Sequence, residues 1–241
     1  MLRTIILFLL LNLGVVACTG NNFTELQLSA ARGQTDRVAT MLNRGMDIDQ
    51  LTKYGKTALM LAAENGHVDT VQLLLSRNAY KDAQDIDGMT AMMFAGSNGH
   101  HEVIAKLLEN KADPNLNNRY GATALTNAVF FGHLDASKVL LNSGVPLDID
   151  TTENALLIAA GLGYGEICQA LLTYGVNIDA RGKNRRTPIM AAIAFDHPET
   201  VSLLLKAKAD TTAKDAEGNS LLDLAENKPK IQALLTKAGV R

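Results

Sequence analysis

Apolar and polar positions fall in short blocks that recur every 33 residues along most of the chain. The clearest copies are Thr57-Ala-Leu-Met-Leu-Ala-Ala-Glu-Asn-Gly-His67, Thr90-Ala-Met-Met-Phe-Ala-Gly-Ser-Asn-Gly-His100 and Thr123-Ala-Leu-Thr-Asn-Ala-Val-Phe-Phe-Gly-His133. In the first of these, Leu59, Leu61, Ala62 and Ala63 share one block, and Val71, Leu73, Leu74 and Leu75 share the next. Each repeat therefore predicts two short helices with an apolar face that one unit cannot bury alone. Weaker copies start at Thr24, Asn154, Thr187 and Ser220, which makes seven units, near 24–54, 55–87, 88–120, 121–151, 152–184, 185–217 and 218–241. Self-similarity at this period predicts an all-α solenoid of stacked helix-turn-helix units.

Small residues set the expected spacing. Alanines at 62, 63, 95, 128, 159, 160, 191 and 192 let neighbouring helices approach closely. Gly66, Gly99, Gly132 and Gly163 fall between the two helices of a unit, where a left-handed cap suits glycine, and Asp196 takes that place in the sixth unit. Stretches such as Asp85-Ile-Asp-Gly-Met89 and Asn118-Arg-Tyr-Gly-Ala122 carry the chemistry of tight turns. The repeated phrase resembles the ankyrin repeat, whose consensus reads T-P-L-H-x-A-A-x-x-G-H, and the resemblance covers about nine-tenths of the chain. It implies projecting turn fingers and a concave face for binding.

The period also breaks in two places. From Thr123 to Asn154 is 31 residues, and the missing pair falls in Pro146 to Glu153, so that finger should be shorter. The seventh unit lacks about two residues between its helices and ends in the charged run Lys228 to Lys237, as expected of a polar C-terminal cap. The more polar first unit, with Ser29, Gln34 and Arg37, should close the other end.

Upstream of the repeats, Arg3 precedes the apolar run Ile5 to Leu13, and a small-residue stretch ends at Ala17-Cys18. This is the order of a signal peptide, here residues 1–17, and the run is too short for a permanent bilayer-spanning helix. Val15-Val16-Ala17-Cys18 resembles the bacterial lipobox, which implies acylation of Cys18 and a lipidated tether over residues 18–23. Thr19 stands where the Gram-negative inner-membrane retention signal would place Asp, so the resemblance points to the outer membrane, facing the periplasm.

Composition narrows the function. Removing residues 1–17 takes away one Arg, leaving 22 basic against 25 acidic residues and a mature charge near −3, with no sign of a nucleic-acid surface. Of the two cysteines, Cys18 is the lipid site, and Cys168 aligns with Val71 as a small core residue. His67, His100, His133 and His197 all occupy the repeat's own Gly-His position, which favours a structural use. No H-E-x-x-H, phosphate-binding glycine loop or paired-cysteine spacing occurs, so no catalytic residue, metal or cofactor is expected.

Carried over residue by residue, the ankyrin resemblance assigns binding to positions after the alanine pair and to the fingers. The first set is Glu64 and Asn65, Ser97 and Asn98, Phe130 and Phe131, Gly161 and Leu162, and Ala194 and Phe195. Phe130, Phe131, Leu162 and Phe195 would form an apolar stripe across units four to six, either exposed to a partner or tucked between helices. The finger set is Lys53, Tyr54 and Lys56; Ile86, Asp87 and Met89; Arg119 and Tyr120; Asp150 and Glu153; and Lys183, Asn184, Arg185 and Arg186. Tyrosine and arginine are favoured at binding hot spots. The expected protein is a noncatalytic lipid-anchored scaffold, monomeric when unbound, that grips a protein partner. Its architecture and setting are similar to ankyrin-type immunity lipoproteins, which implies a type VI secreted phospholipase effector as partner. A docking protein for a resident periplasmic enzyme such as catalase, or a structural envelope adaptor, fits the same sequence.

Overall fold

The computed structural model of the protein describes residues 23–145 and 155–240. The expected signal peptide, Cys18 with all but Phe23 of the tether, and the fourth finger with Asp150 and Glu153 lie outside the described residues. Within them the chain forms fourteen α-helices and no strand. They come in pairs: α1 Glu25–Ala31 with α2 Thr35–Asn43, α3 Ala58–Glu64 with α4 Val68–Ser76, and α5 Ala91–Ser97 with α6 His101–Glu109. Next are α7 Ala124–Phe130 with α8 Leu134–Asn142, and α9 Ala155–Gly161 with α10 Gly165–Thr173. The last pairs are α11 Pro188–Ala194 with α12 Pro198–Lys206, and α13 Leu221–Leu224 with α14 Pro229–Lys237. First helices pack on first helices and second on second, so the stack has two layers, as the 33-residue period predicts.

Local chemistry starts five of the seven first helices. Thr24, Thr57, Thr90, Thr123 and Ser220 sit extended at the N-cap, and their hydroxyls accept the backbone N–H three residues on, at 3.2–3.3 Å. Each such cap stabilises its helix by about 1 kcal/mol. Between the layers runs a row of fully buried leucines, Leu74, Leu107, Leu140, Leu171, Leu204 and Leu235, one per unit from the second to the seventh. Val71, Ile104, Ser137, Cys168 and Val201 form a second buried row, so Cys168 is the small core residue its alignment predicts. Burial pushes the Cys168 thiol up to about 12, which leaves it an inert thiol at neutral pH.

The histidines tie each unit to the one before it. Nε2 of His67, His100, His133 and His197 lies 3.0–3.1 Å from the carbonyls of Ala31, Glu64, Ser97 and Gly161. A carbonyl only accepts, so Nε2 carries the proton. Each ring needs glycine beneath it: Gly66 has φ +75°, and a Cβ there would come within 2.7 Å of the His100 ring. Burial, with repulsion from His133 and His67, lowers the pKa of His100 even though the Glu64 carbonyl favours its charged form. In the fifth unit Tyr164 replaces histidine and covers Gly132 instead.

Both breaks in the period appear in the helices. The first residues of α7 and α9 are 31 positions apart. In the seventh unit α14 starts 8 residues after α13, against 10 from α3 to α4. At the sixth turn Asp196 holds φ 60°, the left-handed conformation glycine has elsewhere.

Candidate functional site

Four of the described fingers are closed from below by one side chain each. Asp85 Oδ1 accepts the backbone N–H groups of Asp87 and Met89 at 2.9 and 2.8 Å. Asn118 Oδ1 does the same for Tyr120 and Ala122, Asp215 Oδ1 for Glu217 and Asn219, and the Thr52 hydroxyl for Tyr54 and Lys56. Neighbouring fingers are joined through their backbones, Ile86 N–H to the Tyr54 carbonyl at 3.1 Å and Arg119 N–H to the Asp87 carbonyl at 3.0 Å. Tyr54, Ile86 and Tyr120 are thereby lined up on adjacent fingertips, 48, 62 and 56% exposed.

Cations hold this ridge in shape. Lys53 Nζ lies 4.7 Å from the centre of the Tyr54 ring, and the Arg119 guanidinium 4.8 Å from that of Tyr120. Arg119 also pairs with Asp87 at 2.8 Å and hydrogen-bonds the Tyr120 hydroxyl. Met89 turns inward, where its sulfur accepts the Asn118 carboxamide at 3.3 Å. Lys56 runs along α3 to Glu64, contacting both carboxylate oxygens at 3.0 and 2.8 Å while its ammonium sits 4.1 Å from the centre of the Phe94 ring. Phe94 is absent from the positions that the repeat pattern assigns to binding. It lies three residues before Ser97, and only the packed stack brings it under Lys56.

At the far ends of the first helices the two halves diverge. Asn65 and Asn98 donate their carboxamide N–H to the Leu61 and Phe94 carbonyls, at 2.8 and 2.9 Å, closing the helix end. Phe131, Leu162 and Phe195 occupy the same place in units four to six. Phe130 and Phe131 pack edge to face with ring centres 5.1 Å apart, half-buried, and Leu162 is half-buried as well. Phe195 is 48% exposed and leans on Gly161, where a Cβ would lie 3.5 Å from its ring. The stripe is thus partly tucked and partly open, which combines the two alternatives the sequence left.

The fifth finger stands apart from the ridge. Lys183 opens a short 3-10 turn, Lys183–Arg185, and Arg186 Nη2 reaches Asp215 Oδ2 at 3.8 Å. Burial pushes the Asp215 carboxyl up, but hydrogen bonds from Asn219 and Glu217 and the charge of Arg186 outweigh it, and its pKa falls below the usual value. Asp85 goes the other way, raised by burial against the hydrogen bonds from Met89 and Asp87. Among the described residues no cluster of three or more His, Cys, Asp or Glu could hold a metal ion, and no helix is long and apolar enough to cross a membrane.

A family profile described as ankyrin repeats, in three copies, matches residues 3–85, 79–153 and 145–215. The ankyrin repeat domain of human ASB11 superposes with a TM-score of 0.81 at 26% identity, over 89% of this chain and 98% of that one. The ankyrin repeat domain of Bcl-3, a member of the IkappaB protein family, gives 0.79 at 24% identity over 90% and 100%, a likeness of fold alone. Phosphocholine transferase AnkX of Legionella pneumophila is 34% identical over 106 residues, 42% of this chain and 10% of that protein. The chain spans a tenth or less of the length of the curated relatives it matches.

Proposed function

The chain belongs to the ankyrin-repeat family, and we propose that it is a noncatalytic, lipid-anchored recognition protein of the periplasm that neutralises a type VI secreted phospholipase. The observation that carries the binding role is the ridge of exposed Tyr54, Ile86 and Tyr120, braced by cation–π contacts and an ion pair. Rigid, amphipathic side chains of this kind bind at low entropic cost. What supports the setting is the signal-like N-terminus ending at Cys18. An antitoxin tethered there would meet an incoming lipase at the membrane it attacks. The partly open stripe of Phe130, Phe131, Leu162 and Phe195 suits an apolar substrate entrance on that lipase.

The test has two readouts on the full chain in its producing strain. Radiolabelled palmitate should enter the wild type and not Cys18→Ser. Affinity capture should recover a lipase with the wild type, and recovery should fall with Tyr120→Asp and with Phe131→Asp. Capture of a resident enzyme instead would replace immunity with an assisting role, and label in Cys18→Ser would remove the anchor from the reading.

A further inference from the structure

Arg185 stands where every other described finger has glycine. Gly55, Gly88, Gly121 and Gly218 hold φ between +76° and +87° two residues before the first-helix cap, and Arg185 holds φ +56° at the same place. Asn184, just before it, is also left-handed at φ +61°. A side chain at positive φ is strained by contact between its Cβ and the backbone, so glycine is the low-energy choice. The finger lacks its usual support as well. Its base is Gly182, where Thr52, Asp85, Asn118 and Asp215 supply the accepting oxygen in other fingers, and a Cβ at Gly182 would lie 3.0 Å from Leu157 Cδ2. Arg186 Nε is buried without a partner, and its contact with Asp215 is a long one.

Strain of this kind persists where a side chain is needed for something other than stability. Arg181, Lys183, Arg185 and Arg186 put four cations into six residues with no acid among them. Arg181 braces the loop by donating to the carbonyls of Arg185 and Lys214, and Arg186 is committed to Asp215. The Arg185 side chain is exposed. We propose that Arg185 is a strained contact residue whose guanidinium receives a carboxylate from an acidic segment of the protein partner. This rests on the reading of the stack as a protein-binding scaffold and adds the chemistry of one contact. A guanidinium binds a carboxylate through two parallel hydrogen bonds, which a glycine at 185 would forgo.

The test uses the full chain and a fluorescein-labelled octaglutamate peptide, read by anisotropy at low and physiological salt, with thermal unfolding in parallel. Arg185→Gly should bind about fivefold more weakly and Arg185→Glu about tenfold or more, with Lys230→Glu as the unchanged control, and the differences should shrink with salt. The same Arg185→Gly should raise Tm, by about 2 °C, because the strain is gone. Equal peptide binding by wild type and Arg185→Gly overturns the proposal, as does binding to phosphatidylglycerol vesicles or a single-stranded oligonucleotide but not to the peptide. A partner captured from cells equally well by Arg185→Glu sinks this contact and leaves the scaffold reading standing. Arg185-dependent peptide binding with no partner captured does the reverse.

Discussion

In units two and three the first helix ends on Asn65 and Asn98, whose carboxamides close its last carbonyls. In units four to six the same place holds Phe131, Leu162 and Phe195. The fingers divide in part the same way, although that of unit seven is closed by Asp215. Those of units two to four are closed by Thr52, Asp85 and Asn118, and that of unit six has Gly182 at its base and Arg185 in a left-handed conformation. The N-terminal half uses these positions to satisfy its own backbone. The C-terminal half gives up hydrogen bonds worth about 1 kcal/mol each and keeps apolar and cationic surface in their place. Identical scaffolding therefore does not mean identical use of the surface.

The comparison is broken most severely through the glycines. A Cβ at Gly96 in α5 would lie 2.7 Å from the Ala124 carbonyl oxygen, a backbone atom that cannot step aside, whereas one at Gly161 in α9 meets only the Phe195 ring at 3.5 Å. Gly96→Ala should cost about 1–3 kcal/mol, with Gly161→Ala neutral or stabilising by up to about 1 kcal/mol; urea unfolding measures both. Equal effects would mean that the two halves are packed alike.

A smaller change tests the ladder. His100→Ala removes the bond to the Glu64 carbonyl and uncovers Gly66, and should cost about 1–2 kcal/mol, while Tyr164→His should restore the regular pattern at little or no cost. Hydrogen exchange would localise the loss to units two and three. Phe131→Asn imports the N-terminal solution into unit four. It gives up an edge-to-face ring pair worth about 1 kcal/mol and gains a helix-end hydrogen bond, so stability should barely move while partner capture falls.

The smallest effect lies in pH. Asp85 has its folded pKa raised above the ordinary carboxyl value, so its contribution is present below that value and is lost as pH rises through the folded pKa. Asp85→Asn should then be more stable than wild type at neutral pH and lose that advantage in acid. Asp215 has its folded pKa depressed, so its contribution is present above the ordinary carboxyl value and is lost as pH falls through the folded pKa. Asp215→Asn should be destabilised at neutral pH and converge on wild type in acid. Chemical denaturation between about pH 3 and 7, spanning the carboxylate range, checks that the two differences have opposite sign.

The ankyrin stack was legible in the chain because its signals are local and repeat. The Thr57, Thr90 and Thr123 caps, the glycines before the histidines and the buried leucine row each recur with the period, and each copy supports the others. Arg185 stands among the finger residues in the sequence, but its place at a left-handed position that other fingers give to glycine required backbone angles. The stripe was only half legible. Phe130, Phe131 and Phe195 occupy repeat positions that require no aromatic ring, yet the ring pair at unit four folds inward while Phe195 lies open over Gly161.

By itself the sequence determined the period, the helix pairs, their caps and the small residues that space them, since helix periodicity and turn chemistry act over a few neighbouring positions. The tertiary structure alone decided which distant side chains meet. Lys56 found Glu64 and the Phe94 ring, Arg119 found Asp87, and Arg186 found Asp215. Each partnership spans 8 to 38 residues, and flexible charged side chains can choose among several partners in a linear reading. The choice follows from how far apart one finger and the next are held, and that distance is fixed by packing the apolar faces of successive units together.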